Sequence, residues 1–339
     1  MVIKMNEHIG KQTVIFEKPP IIRGTSSIVG AKEGKGPLSE YFDYVLDDDK
    51  WGEETWEKAE SKLQKETAQT AIKKAKLTPY DINYILAGDL LNQCIGAHYG
   101  MRDLGIPFFG LYGACSTMVE SMSIGAMIVS GNCAENVVCT TSSHYCAAEK
   151  QFRLPLEYGG QRTPTSQWTV TGSGSAVISK NGVGPKITHI TTGKIIDMGI
   201  SDLNNMGAAM APAAADTLCA HFKDTGLRPE DYDLILTGDL GVVGSDILVE
   251  LMMGEGYDIA ELHNDCGKMI FDIEKQDVHA GGSGCGCCGS VFCGYVYHKL
   301  KEKEYDNVLV MATGALMNPQ IINSGETIPG IAHAIAIRA

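Results

Sequence analysis

Leu77-Thr-Pro-Tyr-Asp-Ile-Asn-Tyr-Ile-Leu-Ala-Gly-Asp-Leu90 returns 150 positions later as Leu227-Arg-Pro-Glu-Asp-Tyr-Asp-Leu-Ile-Leu-Thr-Gly-Asp-Leu240, ungapped and identical at eight of fourteen positions. Each copy opens on a Pro-containing turn and runs into an apolar segment of strand length. Each also follows a stretch with helical spacing, Trp56 to Ala75 in the first case and Ala211 to Thr225 in the second. A recurrence of this length marks a duplicated α/β unit. The order beyond it recurs as well. Asp89 is followed by an elbow at Cys115, a helix and the strand Asn136-Val-Val-Cys-Thr140; Asp239 is followed by the turn Ala280-Gly-Gly-Ser-Gly-Cys285, a helix through Lys301 and Asn307-Val-Leu-Val-Met-Ala312.

Strands alternating with helices of this length predict an α/β fold of largely parallel sheets with helices on both faces. The expected halves are residues 1–185 and 186–339. A pseudo-twofold axis between them sets equivalent loops opposite each other, so Cys115, Asp89, Asp239 and the turn at Gly281 and Gly282 are expected to converge on one cleft.

The elbow itself reads Gly110-Leu-Tyr-Gly-Ala-Cys-Ser-Thr-Met118. The apolar run from Ile106 to Tyr112 predicts a buried strand, Gly113 and Ala114 permit a tight turn, and helical spacing begins at Ser116. Such an elbow presents its central side chain at the strand end and aims unpaired amides of the helix N-terminus beside it. Cys115 is therefore a nucleophile, a pocket wall, or a small buried hydrophobe of the kind free cysteines commonly are.

Composition narrows the function. A formal charge of −13, with no basic stripe among the 28 Lys and Arg, argues against nucleic acid and anionic membranes as partners. The N-terminal segment lacks the apolar core of a signal peptide, and no stretch has the apolar length of a spanning helix, so an intracellular, soluble protein is expected. Its eleven cysteines lie scattered through apolar segments, as reduced thiols filling core space would. Cys285-Gly-Cys-Cys288 with Cys293 lacks the paired spacing of zinc sites, and no metal site is expected from it. Asp89 and Asp239 each read either as a cap on the turn after its strand or as an oxygen ligand for a hard cation such as calcium.

Between the halves, Thr140 to Trp168 is long, polar and aromatic, and carries His144, Arg153, Tyr158, Arg162, Gln167 and Trp168 before the Gly-rich strand from Thr169 to Ser179. Loops of this length in a compact protein are usually functional. His144 either faces the pocket or is a hydrogen-bonded structural residue; His279 is the weaker candidate because it precedes the turn.

The duplicated unit, the Gly-Ala-Cys-Ser elbow and the Thr-Gly-Ser-Gly-Ser-Ala-Val strand resemble the thiolase superfamily, above all its ketoacyl synthase III branch. That resemblance covers nearly the whole chain. It implies a five-layered α/β/α/β/α sandwich, an elbow cysteine that is acylated, and a homodimer through a strand near the middle of the chain, here Asn136 to Thr140. Condensing enzymes of this type use a His and an Asn to hold the enolate oxygen. The corresponding stretches here read Thr237-Gly-Asp-Leu-Gly241 and Gly281-Gly-Ser-Gly-Cys-Gly286. A carboxylate at Asp239 would repel an enolate, and Gly282 has no side chain to donate.

More closely, Ser142-Ser-His-Tyr-Cys146, Glu149-Lys-Gln-Phe-Arg153, Glu157-Tyr-Gly159, Gln167-Trp-Thr-Val-Thr-Gly172 and the Gly281 turn resemble the stage V sporulation AD family of spore-forming bacteria. What this implies is binding without catalysis of pyridine-2,6-dicarboxylate (dipicolinate), alone or with calcium, during its uptake into the developing spore. Partners would be other stage V sporulation A membrane proteins, which would hold the chain at the forespore inner membrane. No cofactor is implied. A flat dianion needs an apolar slot and donors for two carboxylates. The amides at Cys115 and Ser116 suit one; Arg153, Arg162 and Gln167 suit the other, with Trp168 or Tyr158 against the ring and His144 and Thr169 alongside. The alternative is an acyltransferase using Cys115.

Overall fold

The structure, a computed structural model, describes residues 6–152, 162–318, 320, 322 and 324–339. A hairpin of β1 (Glu7–Ile9) and β2 (Thr13–Ile15) leads into β3 (Ile21–Val29) and the short β4 (Tyr44–Val45). The first repeat follows as α1 (Trp56–Lys74), β5 (Tyr84–Gly88), α2 (Ile95–Met101), β6 (Phe108–Gly110), α3 (Thr117–Ser130), β7 (Asn136–Ser143) and α4 (Tyr145–Phe152). Then come β8 (Trp168–Thr169), β9 (Gly172–Ser179) and β10 (Lys186–Thr191). The second repeat is α5 (Met206–Thr225), β11 (Leu234–Thr237), α6 (Gly241–Gly254), β12 (His263–Asp265), α7 (Cys266–Met269), β13 (Gly282–Ser283) and α8 (Cys285–Val291). A π-helical turn joins α8 to α9 (Tyr297–Lys301), before β14 (Asn307–Ala315) and β15 (Gly330–Arg338).

The identities in the repeat have a local cause. Pro79 and Pro229 each open a short 3-10 turn, and Asp81 and Asp231 close it by accepting the amides of Thr78 (2.7 Å) and Arg228 (2.8 Å). Upstream, Thr55 caps α1 by accepting from the Lys58 amide, and Leu63, Ala71 and Ile72 bury one face of that helix. The turn thus fixes the angle at which each helix hands the chain to its strand.

Sheet order is β12-β11-β14-β15-β10-β3-β9-β7-β5-β6, which reads the same from both ends in repeat terms, with Ile21 opposite Lys186 at the centre. In each half two pairings are parallel (β5 with β6 and β7; β11 with β12 and β14) and two antiparallel (β9 with β7 and β3; β15 with β14 and β10). The expectation of largely parallel sheets is corrected to mixed ones. An antiparallel neighbour needs only a return of the chain, not the crossover that parallel strands demand.

Helices α1 and α2 cover the outer face of the first half, and α5 and α6 that of the second. Between them α3 packs on β7 and β9 from one side and on β14 and β15 from the other, beside α8. The result is an α/β/α/β/α sandwich.

Two expectations about strands change. The run Ile106 to Tyr112 is not a buried strand: only Phe108–Gly110 pairs, at the sheet edge, with Phe109 half exposed. Asn136 to Thr140 is no sheet edge either. It is paired on both sides, by β5 and β9, so it has no free backbone groups with which to join a second subunit.

Candidate functional site

Cys115 lies in a 3-10 turn, Ala114–Ser116, between β6 and α3. Ala114 has a left-handed backbone (φ 51°), a conformation costing an alanine roughly 1–2 kcal/mol. The turn is tied together internally: Ser116 Oγ and N donate to the Gly113 carbonyl (2.7 and 3.0 Å), and Thr117 Oγ1 donates to Ala114 O (2.7 Å) while accepting from Gly113 N (3.1 Å). The Ser116 amide is thereby spent inside the elbow. Gly314 of β14 lies against it, so closely that a Cβ there would stand 2.4 Å from Gly113 O.

The second half supplies the partner of Cys115. Asp239, at the end of β11, is fully buried and accepts from Thr313 Oγ1 (2.7 Å), Ser283 Oγ (3.1 Å) and Gly284 N (3.1 Å). The Cys115 thiol lies beside the same carboxylate and feels its charge. Burial first, and Asp239 second, push the Cys115 thiol well above its usual range. Asp239 is itself raised by burial, against these donors. A helix N-terminus ordinarily favours thiolate; here the buried carboxylate opposes it.

Beside Cys115 is a cavity of about 40 Å³. Leu90, Tyr112, Phe152, Met206 and Met317 form its apolar wall, and Cys115, Glu149, Thr169 and Ser283 its polar one. Thr169 Oγ1 donates to Glu149 Oε1 (3.0 Å). A single water needs roughly 10–15 Å³ of such space, so as it stands the cavity admits only a few waters.

Of the expected residues that the structure describes, Cys115 and Thr169 line the cavity, Asp239 lies beside Cys115, and the others stand elsewhere. His144 is buried with Nε2 2.6 Å from the Asp49 carbonyl, so it serves the structure rather than the slot. Arg162 is turned away, held by the Asp277 carboxylate and carbonyl and lying over Trp168, 5.0 Å from the ring centre. One face of Trp168 is stacked on Tyr145 (3.9 Å, 11°), and Lys32 Nζ sits 3.8 Å from the ring centre. Gln167 Nε2 donates to the carbonyls of Asp239 (2.7 Å) and Gly282 (2.8 Å), which ties the long loop to the second half. Gly281 and Gly282 shape that turn from behind, and the side chain that reaches the slot is Ser283. His279 pairs with Asp277 (3.3 Å). Arg153 and Tyr158 lie outside the described residues.

Asp89 does not mirror Asp239. Its carboxylate accepts from Leu91 N (2.8 Å) and Ala97 N (2.7 Å), bracing its own loop, and burial raises it to about 6. In the second half that bracing falls to Asp265, which accepts from Leu240, Gly241 and Gly267 amides and from Thr237 Oγ1. Asp89 is met by amide donors and Asp239 by amide and hydroxyl donors, so both carboxylates brace protein groups around them. Among the described residues no group of three or more His, Cys, Asp or Glu is placed to hold a metal, and the eleven cysteines are free thiols. Cys285, Cys287, Cys288 and Cys293 are buried in core.

Glu149 and Ser283 lie inside motifs read from the sequence, the Glu149–Arg153 stretch and the Gly281 turn, but were not singled out as site residues, and Met317 carries no motif. Glu149 and Phe152 sit on α4, which the sequence offered only as loop.

The model of the stage V sporulation protein AD family matches residues 10–338. Stage V sporulation protein AD of Bacillus subtilis is 46% identical over 326 residues, 96% of either chain. The chain belongs to the stage V sporulation protein AD family. Its fold is shared with condensing enzymes at much lower identity. Similar solved structures are 3-oxoacyl-[acyl-carrier-protein] synthase III of Aquifex aeolicus (TM-score 0.58, 14% identity, 94% of this chain and 100% of that one) and Xanthomonas campestris OleA with cerulenin (0.61, 12%, 96% and 98%). Human mitochondrial 3-ketoacyl-CoA thiolase in complex with CoA is a third (0.57, 12%, 96% and 99%). A sporulation role and a thiolase-type fold follow.

Proposed function

We propose that this family member is a non-catalytic binding protein for dipicolinate, alone or as its calcium complex, acting in movement of that ligand into the developing spore. The observation that carries the proposal is the setting of Cys115: the nucleophile's elbow is kept, while burial first and the neighbouring Asp239 carboxylate second raise the thiol, and that carboxylate stands where a condensing enzyme needs a donor for an enolate. The apolar slot with Thr169 and Ser283 at its polar edge suits a flat acid, provided the wall gives way. Isothermal titration of dipicolinate into the protein, with and without calcium, is expected to show saturable binding; absence of binding in both conditions overturns the proposal.

The retained elbow also favours a second reading, acyl transfer through Cys115. Stable acylation by a short acyl-CoA, seen by mass spectrometry and lost in Cys115→Ser, would establish it in place of the first. Among the described residues no helix is long and apolar enough to cross a membrane. Attachment at the forespore membrane would then run through stage V sporulation A membrane proteins, and a homodimer would use the free edge of β6, where Phe109 and Tyr112 are exposed.

A further inference from the structure

The slot shares three of its walls, Tyr112, Phe152 and Met317, with a second and larger depression of about 570 Å³. Five carboxamides, Asn92, Gln93, Gln151, Asn318 and Gln320, face this outer space. Among the described residues no charged side chain lines it, although the chain as a whole carries −13. Carboxamides offer N–H donors without a counter-charge of their own, and each can also accept, which suits the carboxylates and ring nitrogen of a planar heteroaromatic acid.

The rim is held in an unfavourable shape. Gln93 (φ 57°, ψ 23°) and Cys94 (φ 51°, ψ 45°) are consecutive left-handed residues, neither of them glycine. Asp89 clamps this loop from both sides through the amides of Leu91 and Ala97, and Cys94 Sγ donates to Leu111 O (3.2 Å). Strain of this kind persists where the surroundings over-determine it, and it gathers at ligand clamps. Across the rim, Gln151 Oε1 accepts from the Asn92 amide (3.0 Å), which joins α4 to the strained loop.

We infer that the carboxamide depression is the site where the aromatic dicarboxylate is first recognised, and that Tyr112, Phe152 and Met317 form the wall it displaces to reach Cys115. Asp89 is a positioning residue for the rim. This inference rests on the dipicolinate proposal and deepens it.

The test uses the full chain and dipicolinate itself, with affinity from calorimetry and association rates from stopped-flow mixing. Gln151→Glu keeps an acceptor for the Asn92 amide and exchanges the donor for a negative charge. It is expected to weaken binding by about tenfold or more, mainly through slower association. Gln93→Lys, on the exposed rim, is expected to move association the opposite way, which no loss of fold would do. Affinities and rates unchanged in both variants, with the parent chain binding, overturn the inference and leave dipicolinate binding standing. If the parent chain does not bind, the broader proposal falls first and is recognised before any variant is made.

Discussion

Asp89 and Asp239 occupy the same place in the repeat, yet one braces a loop and the other meets a cysteine. The difference comes from what each faces: two amides of its own loop for Asp89, and Thr313, Ser283, Gly284 and Cys115 for Asp239. Because the Asp239 carboxylate helps to raise the Cys115 thiol, Asp239→Asn removes a negative charge and makes the thiol more acidic. At about pH 8 more of Cys115 is then thiolate, and while the thiol stays mostly protonated a tenfold gain in its acidity gives about tenfold more thiolate. Iodoacetamide labelling followed by peptide mapping across pH 7 to 9 is expected to show faster modification of Cys115 in the variant, at a stability cost of roughly 1–3 kcal/mol. Equal labelling rates would mean that burial alone controls the thiol. The elbow was legible in the sequence because Gly, Ala and the onset of helical spacing are local signals. Which loop side chains reach the pocket was not legible: His144 read equally as a pocket or a structural residue and Arg162 and Trp168 as ligand contacts, because a polar loop does not reveal which of its side chains are taken up by Asp49, Asp277 and Tyr145.

At the level of elements, the middle layer depends on backbone approaching backbone. A Cβ on Gly174 of β9 would lie 2.1 Å from Gly289 O and 2.5 Å from Gly289 Cα on α8, and neither backbone can retreat, since both are buried between layers. Gly174→Ala is expected to destabilise the protein by ~1–3 kcal/mol or more, the range for overpacked cores. Urea unfolding checks this, and an unchanged midpoint would show that α8 can shift. Elements α2, α4, α6, α7 and β12 went unanticipated, while the duplicated helix–turn–strand unit and the helices after Cys115 and after the Gly281 turn were readable from periodicity and Pro and Gly punctuation. The antiparallel placement of β9 and β15 was not, since their residues pack as well against either direction of neighbour.

For the whole molecule, β6 ends the sheet with one side unpaired among the described residues, and the exposed Phe109 and Tyr112 border it. An apolar free edge of this kind favours joining a second chain. On the proposed homodimer, Phe109→Asp is expected to lower the sedimentation coefficient from that of a dimer to that of a monomer; a parent chain that is already monomeric at micromolar concentration contradicts the proposal. The duplication, its α/β order, the elbow at Cys115 and the likeness to thiolase-type proteins were determined by sequence alone, because each is written in short-range spacing and motif. The tertiary structure decided which atoms share the slot. The pseudo-twofold implied by the repeat already brought Cys115 and Asp239 towards one cleft; docking the halves adds Ser283 and Ala315 from one and Thr169 from the other, side chains so far apart in the chain that no periodic trace records their meeting.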